Sequence, residues 1–164
     1  MTQRTRTVSW DDPGITASWV GRTSGLEFLQ RIIKERAAPP LARLLDFDLV
    51  EAEEGRAVFE VKPQEFHYNP TGTVHGGLAA TVMDSALGCA VLSTLPAGVG
   101  YTTAELHVNL VRAILGDTPK LRADARVLHR GRTVRTAECK LTDASGKLYA
   151  HATTTCVVLS SPQA

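Results

Sequence analysis

The sequence predicts an α+β domain in which an antiparallel sheet wraps around one long central helix, with an extra helix ahead of it. Three observations carry this. Residues 75–94 contain no proline and are apolar nearly all round, the mark of a helix buried on most sides. Four segments rich in β-branched residues follow, divided by turn signals. A shorter strand pair precedes the helix, split by Glu53-Glu54-Gly55.

Residues 1–23 read as a tail whose Trp10 and Trp19 would pack on the domain or on a neighbouring subunit, and 24–164 read as one domain. Ser24-Gly25-Leu26-Glu27 has the form of a capping box. Leu26, Leu29, Ile32 and Ile33 recur at helical spacing until Pro39-Pro40 stops them. Leu41, Leu44 and Leu45 suggest a short apolar turn. Phe47–Ala52 and Arg56–Val61 are strand-like, and Gln64–Val74 is a loop rich in Pro, Gly, Asn and Thr. After the long helix, Pro96-Ala97-Gly98 breaks the chain. Strands are expected over Tyr101–Arg112, Lys120–His129, Thr133–Thr142 and Lys147–Leu159. Arg130-Gly131 and Ala144-Ser145-Gly146 would be hairpin turns.

A chain of 164 residues can bury a real core without staples. Lys plus Arg number 18 and Asp plus Glu 17, so the balance of +1 argues against a nucleic-acid or membrane-surface role. Cys89, Cys139 and Cys156 are scattered and form no C-x-x-C, which points to a reducing cytoplasm rather than a disulfide framework. The basic N-terminus has no apolar run behind it and does not read as a secretory leader. The five histidines show no metal-ligand spacing, so no metal site is expected.

The informative stretch runs from Asn69 to Asp84. Between Gly76 and Ala104 the only formal charge is Asp84, set in an apolar helix. A lone carboxylate there has the character of a general base or nucleophile. It reads equally well as a group bonded to backbone or to a neighbouring chain. Gly76-Gly77 stands where that helix begins. Free N–H groups and the dipole make a helix start suited to an oxyanion, although a glycine pair also serves a tight turn. Eight positions separate Gly76 from Asp84, about 12 Å along the axis at 1.5 Å per residue. One carbonyl cannot reach both within one helix. If both act on it, they must come from two antiparallel helices of an isologous dimer.

Arg112, Lys120, Arg122, Arg126, Arg130, Arg132 and Arg135 are opposed in their own stretch only by Asp117 and Asp124. They read as solvated strand faces, except that His129-Arg130-Gly131-Arg132 concentrates charge at a turn suited to phosphates. Cys89 has no evident base and reads as a core residue. No G-x-S-x-G elbow, Walker loop or dinucleotide fingerprint is present.

The pattern N-P-x-G-x-x-H-G-G with Asp nine residues after the His resembles the phenylacetate-type branch of hotdog-fold thioesterases. The likeness extends over residues 41–159 and includes the H-R-G-R-T turn and the D-A-S-G-K-L-Y-A-H-A-T hairpin. It implies hydrolysis of an aryl-acyl or short- to medium-chain acyl-CoA, without cofactor. Asp84 would activate a water or attack directly, and the N–H of Gly76 on the partner's helix would polarise the carbonyl. Asn69 would orient water or thioester, and His75 would fix the loop. Thr102, with Thr103 second, would supply an assisting hydroxyl. Arg130, Gly131, Arg132 and Arg112 would hold CoA. Leu41, Leu44 and Leu45, with Met83 and Leu87, would wall the acyl pocket. Homodimers, paired into homotetramers, are implied. A related branch uses Glu with a threonine one turn later; here Gly88 holds that place, which assigns the chain to the Asp branch. Two other readings keep the fold: an acyl-CoA sensor, for which a DNA-binding helix pair is lacking, and a dehydratase, for which a second Asp/His arrangement is lacking.

Overall fold

The computed structural model describes residues 2–159. Three helices precede the sheet. Helix α1 (Pro13–Ala17) is a single turn inside the expected tail, started by Asp12, whose side chain accepts from Gly14 N–H. Helix α2 (Gly25–Glu35) begins on the expected capping box: Ser24 N–H donates to Glu27 Oε2 at 3.0 Å, and Glu27 N–H donates to Ser24 Oγ at 3.3 Å. Its apolar stripe faces the domain, and Arg36 ends it in the left-handed region at φ 52°. Helix α3 (Pro40–Leu45) replaces the expected apolar turn. Pro40 takes the first helical position, where its missing N–H costs nothing, so the proline pair both stops α2 and starts α3.

Strands β1 (Phe47–Glu53) and β2 (Arg56–Val61) form the first hairpin, and a 3-10 turn (Glu65–His67) leads into the loop before α4 (Gly76–Leu92). Strands β3 (Gly100–Leu110), β4 (Leu121–Arg130), β5 (Val134–Thr142) and β6 (Leu148–Leu159) follow. Helix α4 and strand β3 both stop two residues short of expectation. Arg130, expected in a turn, pairs with Arg135 inside the ladder. The sheet is antiparallel throughout, in the order β1-β2-β4-β5-β6-β3. Strands β1 and β3 are therefore its two edges.

The sheet curls around α4. Val82, Met83, Ala86, Leu87 and Ala90 are fully buried against it. Small residues of the facing strands, among them Ala123, Ala125, Ala137 and Ala150, let the helix sit close. Ser93 locks the far end of α4 by accepting from Gly55 N–H (2.8 Å) and donating to Ala90 O (2.7 Å). Helix α2 meets that end through Gly25, where an added Cβ would stand 1.9 Å from Leu92 O, so only glycine fits. The outer sheet face carries a cross-strand ion-pair ladder. Arg56 bonds Asp124 and Glu51, Arg122 bonds Glu51 and Glu60, and Lys120 bonds Glu60. Acids of β1 and β2 thus partner basic residues that seemed unopposed in sequence. Among the described residues no helix is long and apolar enough to cross a membrane.

Candidate active site

Helix α4 buries one side in the sheet and turns Thr81, Asp84, Ser85 and Cys89 to the other. These fall at helical spacing on one face. Asp84 is half-buried and borders a cavity of about 790 Å³. Its floor is α4 with Tyr101 and Thr103 of β3, and Phe47 and Phe59 come from the first hairpin. Its outer wall is Phe28, Ile32 and Ile33 of α2, followed by Ala38 and Ala42. The role of the first 40 residues, silent in sequence, is thus partly to roof this space. The amphipathic spacing of α2 was the available signal, but it could not say what the apolar face covers.

The hydroxyl beside the carboxylate is that of Thr103, not Thr102. Thr103 Oγ1 donates to Asp84 Oδ1 at 3.4 Å. Successive strand residues face opposite sides, so Thr102 points away from α4 when Thr103 points to it. The loop between α4 and β3 has a length that sequence alone did not fix, so it could not tell which of the two threonines faces Asp84. The register breaks again between Thr103 and Glu105.

At the start of α4, His75 is the N-cap and its Nδ1 accepts from Gly77 N–H at 2.8 Å. Gly76 is the first helical residue, with no carbonyl four positions back to receive its N–H. An added Cβ there would lie 2.4 Å from Leu110 Cδ1. Asn69 is committed within its own loop: Oδ1 accepts from Thr71 N–H (2.9 Å), Thr71 Oγ1 (2.7 Å) and Thr73 N–H (3.3 Å), and Nδ2 donates to Thr73 Oγ1 (2.9 Å).

His67, which sequence left without a task, joins this loop to α3. Its Nε2 donates to Leu45 O (2.8 Å), its Nδ1 accepts from Gln64 N–H (3.0 Å), and its carbonyl accepts from His75 N–H (2.8 Å). Burial is the main influence holding its pKa below the ordinary value. The Arg6 guanidinium adds to this, whereas the bond to Leu45 O and the nearby Asp46 oppose it.

The five residues expected to wall an acyl pocket do not line this cavity. Met83 and Leu87 are 0% exposed, on the sheet side of α4 rather than the cavity side. Leu41 and Leu44 are half-exposed on the outer side of α3, and Leu45 packs against the core. A family resemblance does not tell which face of a helix meets a cavity. Cys89 does line it, but burial first and the charge of Asp84 second push its thiol up to about 12, so it is no nucleophile.

The basic residues divide. Arg130 pairs with Glu54 at 2.5 Å, and Arg135 donates to Thr94 O (2.9 Å), tying the β4–β5 turn to the last turn of α4. An added Cβ on Gly131 would stand 2.4 Å from Val134 O. Arg132 is exposed at the tip of the turn. Arg112 donates to Leu148 O (3.1 Å) just beyond β3, near the opposite end of α4. One chain therefore holds Arg112 and the Arg130–Arg132 turn at opposite ends of its central helix. Trp19 carries the Arg31 guanidinium 3.7 Å over its ring, and Trp10 is 58% exposed.

A sheet curled around one helix, with its carboxylate facing a cavity, is the hotdog architecture, and solved structures share it. A Streptococcus mutans protein bound to acetyl CoA matches with TM-score 0.63 at 29% identity, over 71% of this chain and 91% of that one. A phenylacetic acid degradation-related protein from Ralstonia eutropha matches with TM-score 0.69 at 28% identity, over 79% and 98% respectively. The Thioesterase superfamily profile matches residues 71–150. Human acyl-coenzyme A thioesterase 13 is 34% identical over 131 residues, which cover 78% of this chain and 92% of that protein. The chain belongs to the thioesterase superfamily and is a thioester hydrolase.

Proposed function

We propose that the chain hydrolyses acyl-CoA thioesters, of the aryl-acyl or short- to medium-chain class, at two composite sites of a homodimer. The observation that carries this reading is the separation of parts within one chain. Asp84 and Thr103 stand together on the cavity, whereas Gly76 opens the same helix two turns earlier. Strand β3 supplies a way to close the gap. It is an edge strand of eleven residues, and Thr102–His107 are exposed. A long unpaired edge invites a second copy. Antiparallel β3–β3 pairing about a two-fold axis sets the two α4 helices side by side and antiparallel. The partner's helix start then approaches Asp84.

In that arrangement Thr103 occupies one oxygen of Asp84 and leaves the other for a water. Asp84 takes a proton from the water as its oxygen bonds to the thioester carbon. The N–H of Gly76 from the partner subunit holds the resulting oxyanion. The C–S bond then breaks, and the proton passes from Asp84 to the leaving thiolate. Asn69 stiffens the loop that presents the helix start, and His75 caps it. The antiparallel pairing also brings Arg112 of one chain to the same end as the Arg130–Arg132 turn of the other, where the CoA phosphates would bind. The relatives named for acyl-coenzyme A and acetyl CoA support the carrier, and the α2-roofed cavity suits an apolar acyl group.

The test is release of CoA thiol from a panel of aryl and alkyl acyl-CoAs by wild type and Asp84→Ala. Turnover by wild type and its loss in the variant are expected. Comparable turnover by the variant would overturn the role of Asp84. Tight binding without turnover by either protein would mean a sensor instead.

A further inference from the structure

Tyr101 presents a hydroxyl that the reading above does not use. It lies on the same face of β3 as Thr103, and its ring packs against the core. The Tyr101 hydroxyl oxygen lies 2.3 Å from the position a Cβ on Gly88 would take, and ring carbon Cζ lies 3.1 Å from it. The phenol therefore rests on the bare backbone of α4, and any side chain at 88 would expel it. Gly88 follows Asp84 by one helical turn, about 6 Å along the axis. Tyr101, Asp84, Thr103 and Cys89 all border the one cavity. Among the described residues no buried polar side-chain atom is left unpaired, so this hydroxyl, which makes no hydrogen bond to them, opens onto the cavity. It is available to bond a molecule that enters the cavity.

We infer that the Tyr101 hydroxyl and the free oxygen of Asp84 together hold the hydrolytic water. Both groups border the same cavity, and one water donating two hydrogen bonds of about 2.8 Å at its tetrahedral angle bridges two oxygens about 4.5 Å apart. The two acceptors take the two protons of the water. Its lone pair is left aimed at the carbonyl carbon that the partner's Gly76 polarises. Burial, above all, pushes the phenol well above its ordinary pKa, so it stays neutral while Asp84 accepts the proton. Gly88 thus has a positive role: it makes room for a hydroxyl that comes from β3 instead of from the helix.

This inference rests on the thioesterase reading of the same cavity, and the experiment separates the two. Tyr101→Phe keeps the ring on Gly88 and removes only the hydroxyl. With a substrate that wild type turns over, kcat should fall about tenfold, the equivalent of one net hydrogen bond. KM should stay within about twofold and the melting temperature should not move. A kcat at the wild-type level would overturn the inference. So would a raised KM with unchanged kcat, which would make Tyr101 a wall of the acyl site only. The thioesterase reading fails on a different result, absence of turnover by wild type itself.

Discussion

Thr103 Oγ1 lies 3.4 Å from Asp84 Oδ1, although the two residues are 19 positions apart and on different elements. The strand brings a hydroxyl donor to a carboxylate that has no cationic partner among the described residues. A donor to one oxygen fixes the carboxylate rotamer and leaves its second oxygen facing the cavity. Thr103→Val should therefore lower kcat about tenfold while leaving KM nearly unchanged. Thr102→Val, on the opposite strand face, should leave both constants alone. Steady-state kinetics of the two variants checks this, and the reverse order would return the role to Thr102.

Gly76 can be dissected by two substitutions that share a Cβ. Alanine keeps the backbone N–H; proline removes it. Proline is well placed for the fold, because it suits the first helical position and His75 already has the extended backbone that a following proline needs (φ −63°, ψ 132°). In either variant the new Cβ displaces Leu110 Cδ1, an exposed and flexible group. Gly76→Ala should retain most activity, whereas Gly76→Pro should lose roughly a hundredfold or more in kcat. Equal losses in two folded proteins would mean that the N–H does not hold the oxyanion.

The sequence made the central helix, the hairpin turns and the antiparallel sheet legible because each has a local cause: apolar surround, a glycine turn, alternation. The stretch from Asn69 to Asp84 stood out through its likeness to a family pattern, not through a local cause. Three things were not legible. Thr103 was second to Thr102 because a strand's facing depends on loop length to the residue, and a one-residue slip reverses every side chain. Leu41, Leu44, Leu45, Met83 and Leu87 were expected on an acyl wall, whereas the cavity beside Asp84 is lined by Phe28, Ile32 and Ile33. Which face of a helix meets a cavity is decided by tertiary packing. His67 and Tyr101 gave no signal, since the contacts of His67 with Leu45 and of Tyr101 with Gly88 exist only in the fold.

His67 makes the site's support sensitive to acid. Its folded pKa is below the ordinary 6.5, so the unfolded chain binds a proton there before the folded chain does. The stability it confers is complete above about pH 6.5 and is lost as pH falls through the lower folded value. A charged ring would lose its bond from Gln64 N–H and face Arg6; the bond to Leu45 O and the nearby Asp46 favour it but are outweighed. Thermal unfolding from pH 7.5 to 5 should show a fall in melting temperature that His67→Gln largely removes. Gln retains a donor for Leu45 O but does not titrate. An unchanged pH slope in the variant would assign the acid sensitivity elsewhere.

Arg132 and Arg112 should read the phosphates of the carrier rather than the acyl group. Arg132→Ala and Arg112→Ala are expected to raise KM for an acyl-CoA roughly fivefold or more, with kcat little changed. The same variants should turn over the matching N-acetylcysteamine thioester, which has no phosphate, as wild type does. Added salt should raise the wild-type KM for acyl-CoA towards that of the variants. A loss shared by both substrates would assign these residues to the fold instead.

The proposed dimer makes one prediction that no monomeric site can meet. Asp84→Ala lacks the carboxylate, Gly76→Pro lacks the N–H, and each homodimer has both of its sites broken. A mixed dimer has one site with both defects and one with neither. If the two chains exchange at random, half the dimers are mixed, and about a quarter of the wild-type sites are restored. The two inactive proteins should be unfolded together, refolded and assayed for CoA release, with co-refolded single variants as controls. Activity near a quarter of wild type is expected only if Asp84 and Gly76 serve one carbonyl from different subunits. If both acted within one chain, every site would keep one defect and mixing would restore nothing.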